Sequence, residues 1–217
     1  MVTSKKTTKF LREHIAFENT ALKEIRDIAN SKNKPLVQLE TANLLYMIIK
    51  STKPSTILEI GTSIGYSSAL IAIAAGESSH IDTIEMLEEN MLEAKENYKI
   101  AGVEKRVNVF LGDALDIVPK IETKYDLIFM DGPKSHYLTL KEQMISLLNV
   151  GGMLVCDNVL FRGLITGDKK HARRKETIIS KLTLFLDELC TDNRLYTTIL
   201  PIGDGVSISI LKGDTDE

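Results

Sequence analysis

A chain of 217 residues that is 43% hydrophobic, 26% charged and 6% aromatic buries enough surface on folding to need neither disulfides nor a structural metal, and its length suits one domain. Its two cysteines, Cys156 and Cys190, both lie in apolar stretches, which argues against a disulfide framework and for reduced thiols in a cytoplasmic protein. The longest small and apolar run, Ser68-Ala-Leu-Ile-Ala-Ile-Ala-Ala75, is far short of the ~18–20 residues needed to cross a bilayer. The charged start Met1-Val-Thr-Ser-Lys-Lys6 has no apolar segment behind it, so neither a membrane helix nor a secretory signal is expected. The formal net charge of −3 excludes an all-over nucleic-acid-binding surface, yet it averages an uneven distribution. The segment Lys169-Lys-His-Ala-Arg-Arg-Lys175 carries five basic residues and no acid, which leaves about −8 on the rest of the chain.

Taken in chain order, the spacing of Leu11, Ile15, Leu22, Ile25 and Ala29 predicts an amphipathic helix over residues 8–30, and a second helix runs from about Leu36 to Ile49 after the Asn33-Lys-Pro35 break. Short apolar strands then recur at 56–60, 81–84, 107–110, 126–130 and 153–156, each followed by a helical stretch. Leu87, Met91, Ala94 and Tyr98, and later Ile178, Leu182, Phe185 and Leu189, have the spacing of helices that cover a sheet. Strands that are apolar on both faces and alternate with helices predict a parallel sheet with helices on both sides. The end departs from this pattern: residues 196–211 alternate around Gly203-Asp-Gly205 with no room for a crossover helix, which predicts an antiparallel hairpin. The expected architecture is one α/β domain over 1–217, with helices in 1–50 and a core in 55–217. That core is a Rossmann-like, doubly wound seven-stranded sheet with an antiparallel C-terminal hairpin, which by analogy is similar to the class I methyltransferases.

In such a sheet a ligand sits beyond the carboxyl ends of the strands, so the residues just after each strand carry the functional reading. The first such turn, Leu58-Glu-Ile-Gly-Thr-Ser-Ile-Gly-Tyr-Ser67, resembles a dinucleotide fingerprint without its middle glycine, since Ser63 stands between Gly61 and Gly65. A tight strand-to-helix turn is the alternative reading of the glycine pair. Glu85 closes the second strand, where a carboxylate accepts hydrogen bonds from both hydroxyls of a ribose. Gly112-Asp-Ala114 closes the third, where Asp113 suits the exocyclic amine of an adenine and Ala114 its face. Glu59 adds an acid near the place of the ligand's amino group. An acid-lined crevice fits a nucleoside bearing a cationic sulfonium better than it fits an anionic dinucleotide.

Asp131 follows the fourth strand and Asp157-Asn158 the fifth, so if these strands are neighbours three oxygen-bearing side chains converge. A hard ion such as Mg²⁺ suits an oxygen-only set, with water or substrate completing about six positions. Capping and turn chemistry is the other account of Asp and Asn at strand ends.

The spaced set Leu58 to Ser67, Ile84-Glu85, Gly112-Asp-Ala114, Phe129-Met-Asp-Gly-Pro-Lys134 and Gly151-Gly-Met-Leu-Val-Cys-Asp-Asn-Val159 resembles the successive motifs of the cation-dependent O-methyltransferases, the catechol and caffeoyl-CoA type, from about residue 35 to the C-terminus. Within that family, Asp157-Asn-Val-Leu-Phe-Arg-Gly-Leu164, the basic segment and Leu200-Pro-Ile-Gly-Asp-Gly-Val-Ser-Ile-Ser209 look most like the bacterial tRNA 5-hydroxyuridine methyltransferases. The resemblance implies S-adenosylmethionine contacts at Val37, Glu59, Gly61, Ser67, Glu85, Asp113 and Asp131, metal ligation by Asp131, Asp157 and Asn158, a general base at Lys134, and a homodimer. Gly132-Pro133 replaces the bulkier pair of the catechol enzymes, which makes catechol itself a poorer fit.

The function so implied is Mg²⁺-dependent methylation of 5-hydroxyuridine at the wobble position of tRNA, giving 5-methoxyuridine. Its 5-hydroxyl and 4-carbonyl supply the two neighbouring oxygens that a catechol also offers. Lys169, Lys170, Arg173, Arg174 and Lys175 would then grip phosphates of the anticodon loop, with Lys5, Lys6, Lys9 and Arg12 as a second patch and Phe161 or Tyr137 stacking on a base. A solvated helix face is the plain alternative for the charge run. Two further functions compete: methylation of a small catechol-like or phenylpropanoid-CoA compound, and a non-catalytic, Rossmann-like nucleotide-binding protein.

Overall fold

Seven strands in one sheet, ordered β3-β2-β1-β4-β5-β7-β6, form the centre of the computed structural model, which describes residues 4–15, 19–167 and 173–213, without the side chain of Arg174. β1 (Thr56–Ile60), β2 (His80–Glu85), β3 (Val107–Leu111), β4 (Tyr125–Met130) and β5 (Leu148–Asp157) are mutually parallel. β7 (Val206–Leu211) runs antiparallel to both β5 and β6 (Leu195–Leu200), so the expected hairpin is inserted with its second strand against β5. The doubly wound seven-stranded sheet is therefore as the sequence pattern implies.

The sheet is apolar on both faces because both are covered. Ile57, Leu127, Phe129 and Val155 face one layer built from α2 (Thr20–Ser31), α3 (Leu39–Thr52), α4 (Tyr66–Ala75) and α5 (Glu88–Ala101). Leu58, Ile60, Ile128 and Leu154 face the other, built from α6 (Ala114–Ile117), α7 (Tyr137–Ser146) and α8 (Glu176–Thr191). Alternation along each strand thus assigns odd and even residues to different cores.

The single helix expected over 8–30 is two. α1 (Lys5–Glu13) is capped by Ser4 and α2 by Asn19, whose side chain accepts from Leu22 N at 3.1 Å. An N-cap inside the apolar pattern starts a new helix on a new axis. Leu22, Ile25 and Ala29 are buried on α2, whereas Leu11 on α1 is exposed. Cys156 is a buried free thiol and Cys190 an exposed one, so the two cysteines are unpaired as expected. Among the described residues no helix is long and apolar enough to cross a membrane.

Candidate active site

The reversal of strand order between β1 and β4 opens a crevice at the carboxyl ends of the parallel strands. A cavity of about 640 Å³ occupies it. Gly61 lies at its base with φ +103°, and a Cβ there would meet the carbonyl oxygen of Asp131 at 2.7 Å, so the close approach of the β1 and β4 turns requires glycine. Gly65 (φ +80°) starts α4 against the Tyr98 ring, which a Cβ would meet at 2.6 Å.

The turn that resembles a phosphate loop has its amide already engaged. Ser63 N donates to Glu85 Oε2 at 2.7 Å, while Glu85 Oε1 accepts from Leu87 N at 2.9 Å and from Asn90 Nδ2 at 3.3 Å. A pyrophosphate entering here would face a carboxylate, which repels it, whereas a ribose diol meets two acceptor oxygens held in place. Asp113 caps α6 by accepting from Leu115 N at 2.9 Å, and His136 Nδ1 lies 3.6 Å from the same Oδ1. Lys34 to Val37 roof the cavity. Lys34 Nζ donates to Asn90 Oδ1 at 2.9 Å and Ser63 Oγ to Pro35 O at 3.4 Å, which fastens this connection to the far wall.

Of the residues assigned to a cofactor, Val37, Gly61, Ser67, Glu85, Gly112, Asp113, Ala114 and Asp131 all line this one cavity. Glu59 does not. It is fully buried behind the wall, where its Oε2 accepts from Thr83 Oγ1 at 2.6 Å and from Ser68 Oγ, and burial pushes its carboxyl up to about 7. The alternation of a strand explains this: with Ile60 and Gly61 at the mouth, the side chain of Glu59 points into the layer beneath α4.

Asp131, Asp157 and Asn158 also line the cavity together. Asp157 is fully buried, its Oδ1 accepts from Asn158 N at 2.6 Å, and its Oδ2 has no hydrogen-bond partner. Burial, and then the nearby Asp131 carboxylate, push Asp157 up to about 7; burial likewise raises Asp131. Asn158 adopts φ +57° at the end of β5, the backbone change that lets two consecutive side chains serve one place. Among the described residues no group of three or more His, Cys, Asp or Glu has metal-holding geometry. The set here is two carboxylates and an amide, and an unpaired buried carboxylate oxygen beside a second carboxylate fits a hard divalent cation.

Lys134 opens a short 3-10 turn (Lys134–His136) and is half-buried. Its ammonium lies 3.2 Å from Asp131 Oδ1, 3.2 Å from Gly132 O and 2.7 Å from the Tyr137 hydroxyl, which itself donates towards Met130 O and Asp157 O. Each of its three hydrogens thus has an acceptor, so Lys134 neutralises the acidic pair in this state and must give up a proton before it can take one. Tyr137 is fully buried against Phe185, at 5.5 Å between ring centroids, and is a core residue rather than a stacking surface.

The basic segment is only partly described. Lys169 and Lys170 lie outside the described residues. Arg173 is exposed on a 3-10 turn (Arg173–Lys175), and Lys175 Nζ sits 5.8 Å over the ring of Phe161. Neither residue lines the cavity. The N-terminal patch is weaker than its composition implies, because Arg12 is bound through two nitrogens to the buried Glu40 at 2.8 and 3.2 Å and Lys9 pairs with Glu13 at 3.7 Å. Sequence reasoning missed Lys34, Asn90 and His136, which face the cavity from loops and helix starts without a motif to mark them.

A family model described as O-methyltransferase matches residues 12–212. A caffeoyl-CoA O-methyltransferase of Medicago sativa is 28% identical over 215 residues, 93% of this chain and 84% of that protein. The structure of a candidate caffeoyl-CoA O-methyltransferase from Staphylococcus aureus superposes with a TM-score of 0.86 at 30% identity, covering 95% of this chain and all of that one. That of the Podospora anserina methyltransferase PaMTH1, solved with S-adenosylhomocysteine, does so at 0.86 and 25%, covering 97% of each. The chain belongs to the O-methyltransferase family.

Proposed function

We propose that the protein transfers the methyl group of S-adenosylmethionine to the 5-hydroxyl of 5-hydroxyuridine at the wobble position of tRNA, aided by a divalent cation. The observation that carries the reading is the buried, unpaired Asp157 Oδ2 beside Asp131 and Asn158, on the wall of the cavity that reaches Glu85 and Asp113. Glu85 would hold the ribose and Asp113 the adenine, while the acids around them favour a cationic sulfur. Asp131, Asp157 and Asn158 would hold Mg²⁺ or a similar ion, which when bound supplies the charge that lowers the pKa of an acceptor hydroxyl next to a second oxygen.

The chain's own part is placement and proton transfer. Displacement at a methyl group requires the oxygen about 3 Å behind the carbon and in line with the leaving sulfur, so fixing both partners is most of the task. Gly61 and Asp131, packed backbone to backbone, make the two halves of the cavity rigid relative to each other. Lys134, on the turn beside Asp131, would take the hydroxyl proton at Nζ after first releasing one of its own to solvent. Arg173 and Lys175, with the rest of the basic segment, would contact phosphates of the anticodon loop. A homodimer is proposed as the assembly.

A second reading has its own support: the Medicago sativa relative is a caffeoyl-CoA O-methyltransferase, and a phenylpropanoid-CoA acceptor also presents two neighbouring oxygens. Transfer of labelled methyl groups in vitro to tRNA bearing 5-hydroxyuridine, and separately to caffeoyl-CoA and catechol, decides between them. Incorporation into tRNA that needs Mg²⁺ and stops with chelator supports the proposal. No incorporation into tRNA with cofactor and metal present refutes it.

A further inference from the structure

His136 ends the 3-10 turn whose first residue is Lys134, so one short element faces the acceptor side of the cavity with one end and the Asp113 side with the other. Its Nδ1 is buried, has no hydrogen-bond partner, and lies 3.6 Å from Asp113 Oδ1, just beyond hydrogen-bonding distance. The side chain is only 16% exposed, and that exposure is carried by ring atoms other than Nδ1. Asp113 Oδ1 is already fixed by Leu115 N at 2.9 Å, so the carboxylate cannot turn away from the ring. A carboxylate facing one imidazole nitrogen keeps the hydrogen on that nitrogen and leaves the lone pair on the other, Nε2. Asp113 and His136 line the cavity together with Gly112 and Ala114, and in this tautomer each of the two has an acceptor to offer.

We infer that His136, paired with Asp113, is the residue by which this protein selects a 6-aminopurine over a 6-oxopurine in its nucleoside ligand. The inference rests on the cofactor reading above and deepens it. A 6-amino group brings two hydrogens to two acceptors. A 6-oxo group places an acceptor against the same pair, and the neighbouring N1–H of such a base can satisfy at most one of the two, so at least one buried acceptor is left facing another, the arrangement from which discrimination arises. His136 is a specificity residue in this account; it takes no part in moving the methyl group.

Calorimetry on the full chain with S-adenosylhomocysteine and with S-inosylhomocysteine reads this directly, because the ratio of the two affinities is free of turnover. The wild type is expected to favour the adenine ligand by tenfold or more, roughly what one mismatched buried polar pair gives. His136→Ala should cut that ratio about fivefold or more, and His136→Asn, which keeps an acceptor oxygen, should restore most of it. Thermal unfolding of each variant confirms that it is folded. An unchanged ratio in folded His136→Ala overturns the inference while leaving the cofactor reading intact. Failure of the wild type to bind S-adenosylhomocysteine at all would instead overturn the cofactor reading on which the inference rests.

Discussion

Asp157 opposes folding at neutral pH even with the Lys134 ammonium nearby, until a further cation joins it. Its carboxyl is pushed from 3.8 to about 7, first by burial and then by Asp131, so the folded protein binds a proton more tightly there than the unfolded chain does. The sign follows by linkage. The raised value costs nothing below about pH 4, where both states are protonated; the cost grows as pH rises through the interval and is complete above about pH 7. At 1.36 kcal/mol per pH unit the full cost is roughly 4 kcal/mol, and sharing of the proton with Asp131 reduces it to about 2–4. Asp157→Asn keeps the shape and the contact with Asn158 N but carries no charge. In chelator at pH 8 it should therefore stabilise the fold, raising the melting temperature by roughly 4–16 °C for a chain of this size, and the gain should vanish by about pH 4. Saturating Mg²⁺ should reverse the order, since only the wild type gains stability from binding. Scanning calorimetry at the two pH values, with and without metal, measures all four quantities. A variant that melts at or below the wild type in chelator at pH 8 would refute the reasoning, because the carboxylate would then not be strained by its surroundings.

Other perturbations follow from the same geometry. Gly61→Ala places a Cβ 2.7 Å from the Asp131 carbonyl at φ +103°, so it should destabilise the fold by about 2–4 kcal/mol and weaken binding of S-adenosylhomocysteine, as denaturant unfolding and calorimetry will show. Asn158→Ala should weaken divalent-cation affinity about tenfold or more while leaving cofactor affinity within twofold, measurable by titration with Mn²⁺ as a spectroscopic probe. Lys134→Met should lower kcat far more than KM, with partial return of rate as pH rises and acceptor hydroxyls ionise unaided. Arg173→Ala with Lys175→Ala should weaken tRNA binding and flatten its salt dependence by one to two ions, but leave turnover of a small catechol unchanged.

The parts legible in sequence were those governed by local periodicity and strand ends. Alternating strands and helices fixed the layers, and Gly203-Asp-Gly205 located the hairpin because two strands so close in sequence have only one way to pair. The positions after each strand converged because topology alone brings them to one edge, which is why Glu85, Asp113, Asp131, Asp157 and Asn158 meet at one cavity. Glu59 departed from the expectation because it shares the face of β1 that carries Ile57, so its side chain turns into the layer beneath α4 and not towards the strand end. The break between α1 and α2 was hidden inside an apolar pattern that continued through it, with only Asn19 to signal a new cap. Lys34, Asn90 and His136 come from three separate connections and helix starts, and only the packing of α2, α5 and the turn after β4 makes them neighbours of the crevice.

Under the proposed function the methyl group of S-adenosylmethionine ends on the 5-oxygen of 5-hydroxyuridine in tRNA. Mass spectrometry of nucleosides from the tRNA of cells with and without the gene tests it most directly. Loss of the gene should remove 5-methoxyuridine and raise 5-hydroxyuridine in equal measure, and wild-type protein, but not Asp157→Asn, should restore the balance. Unchanged levels of both nucleosides on loss of the gene would contradict it.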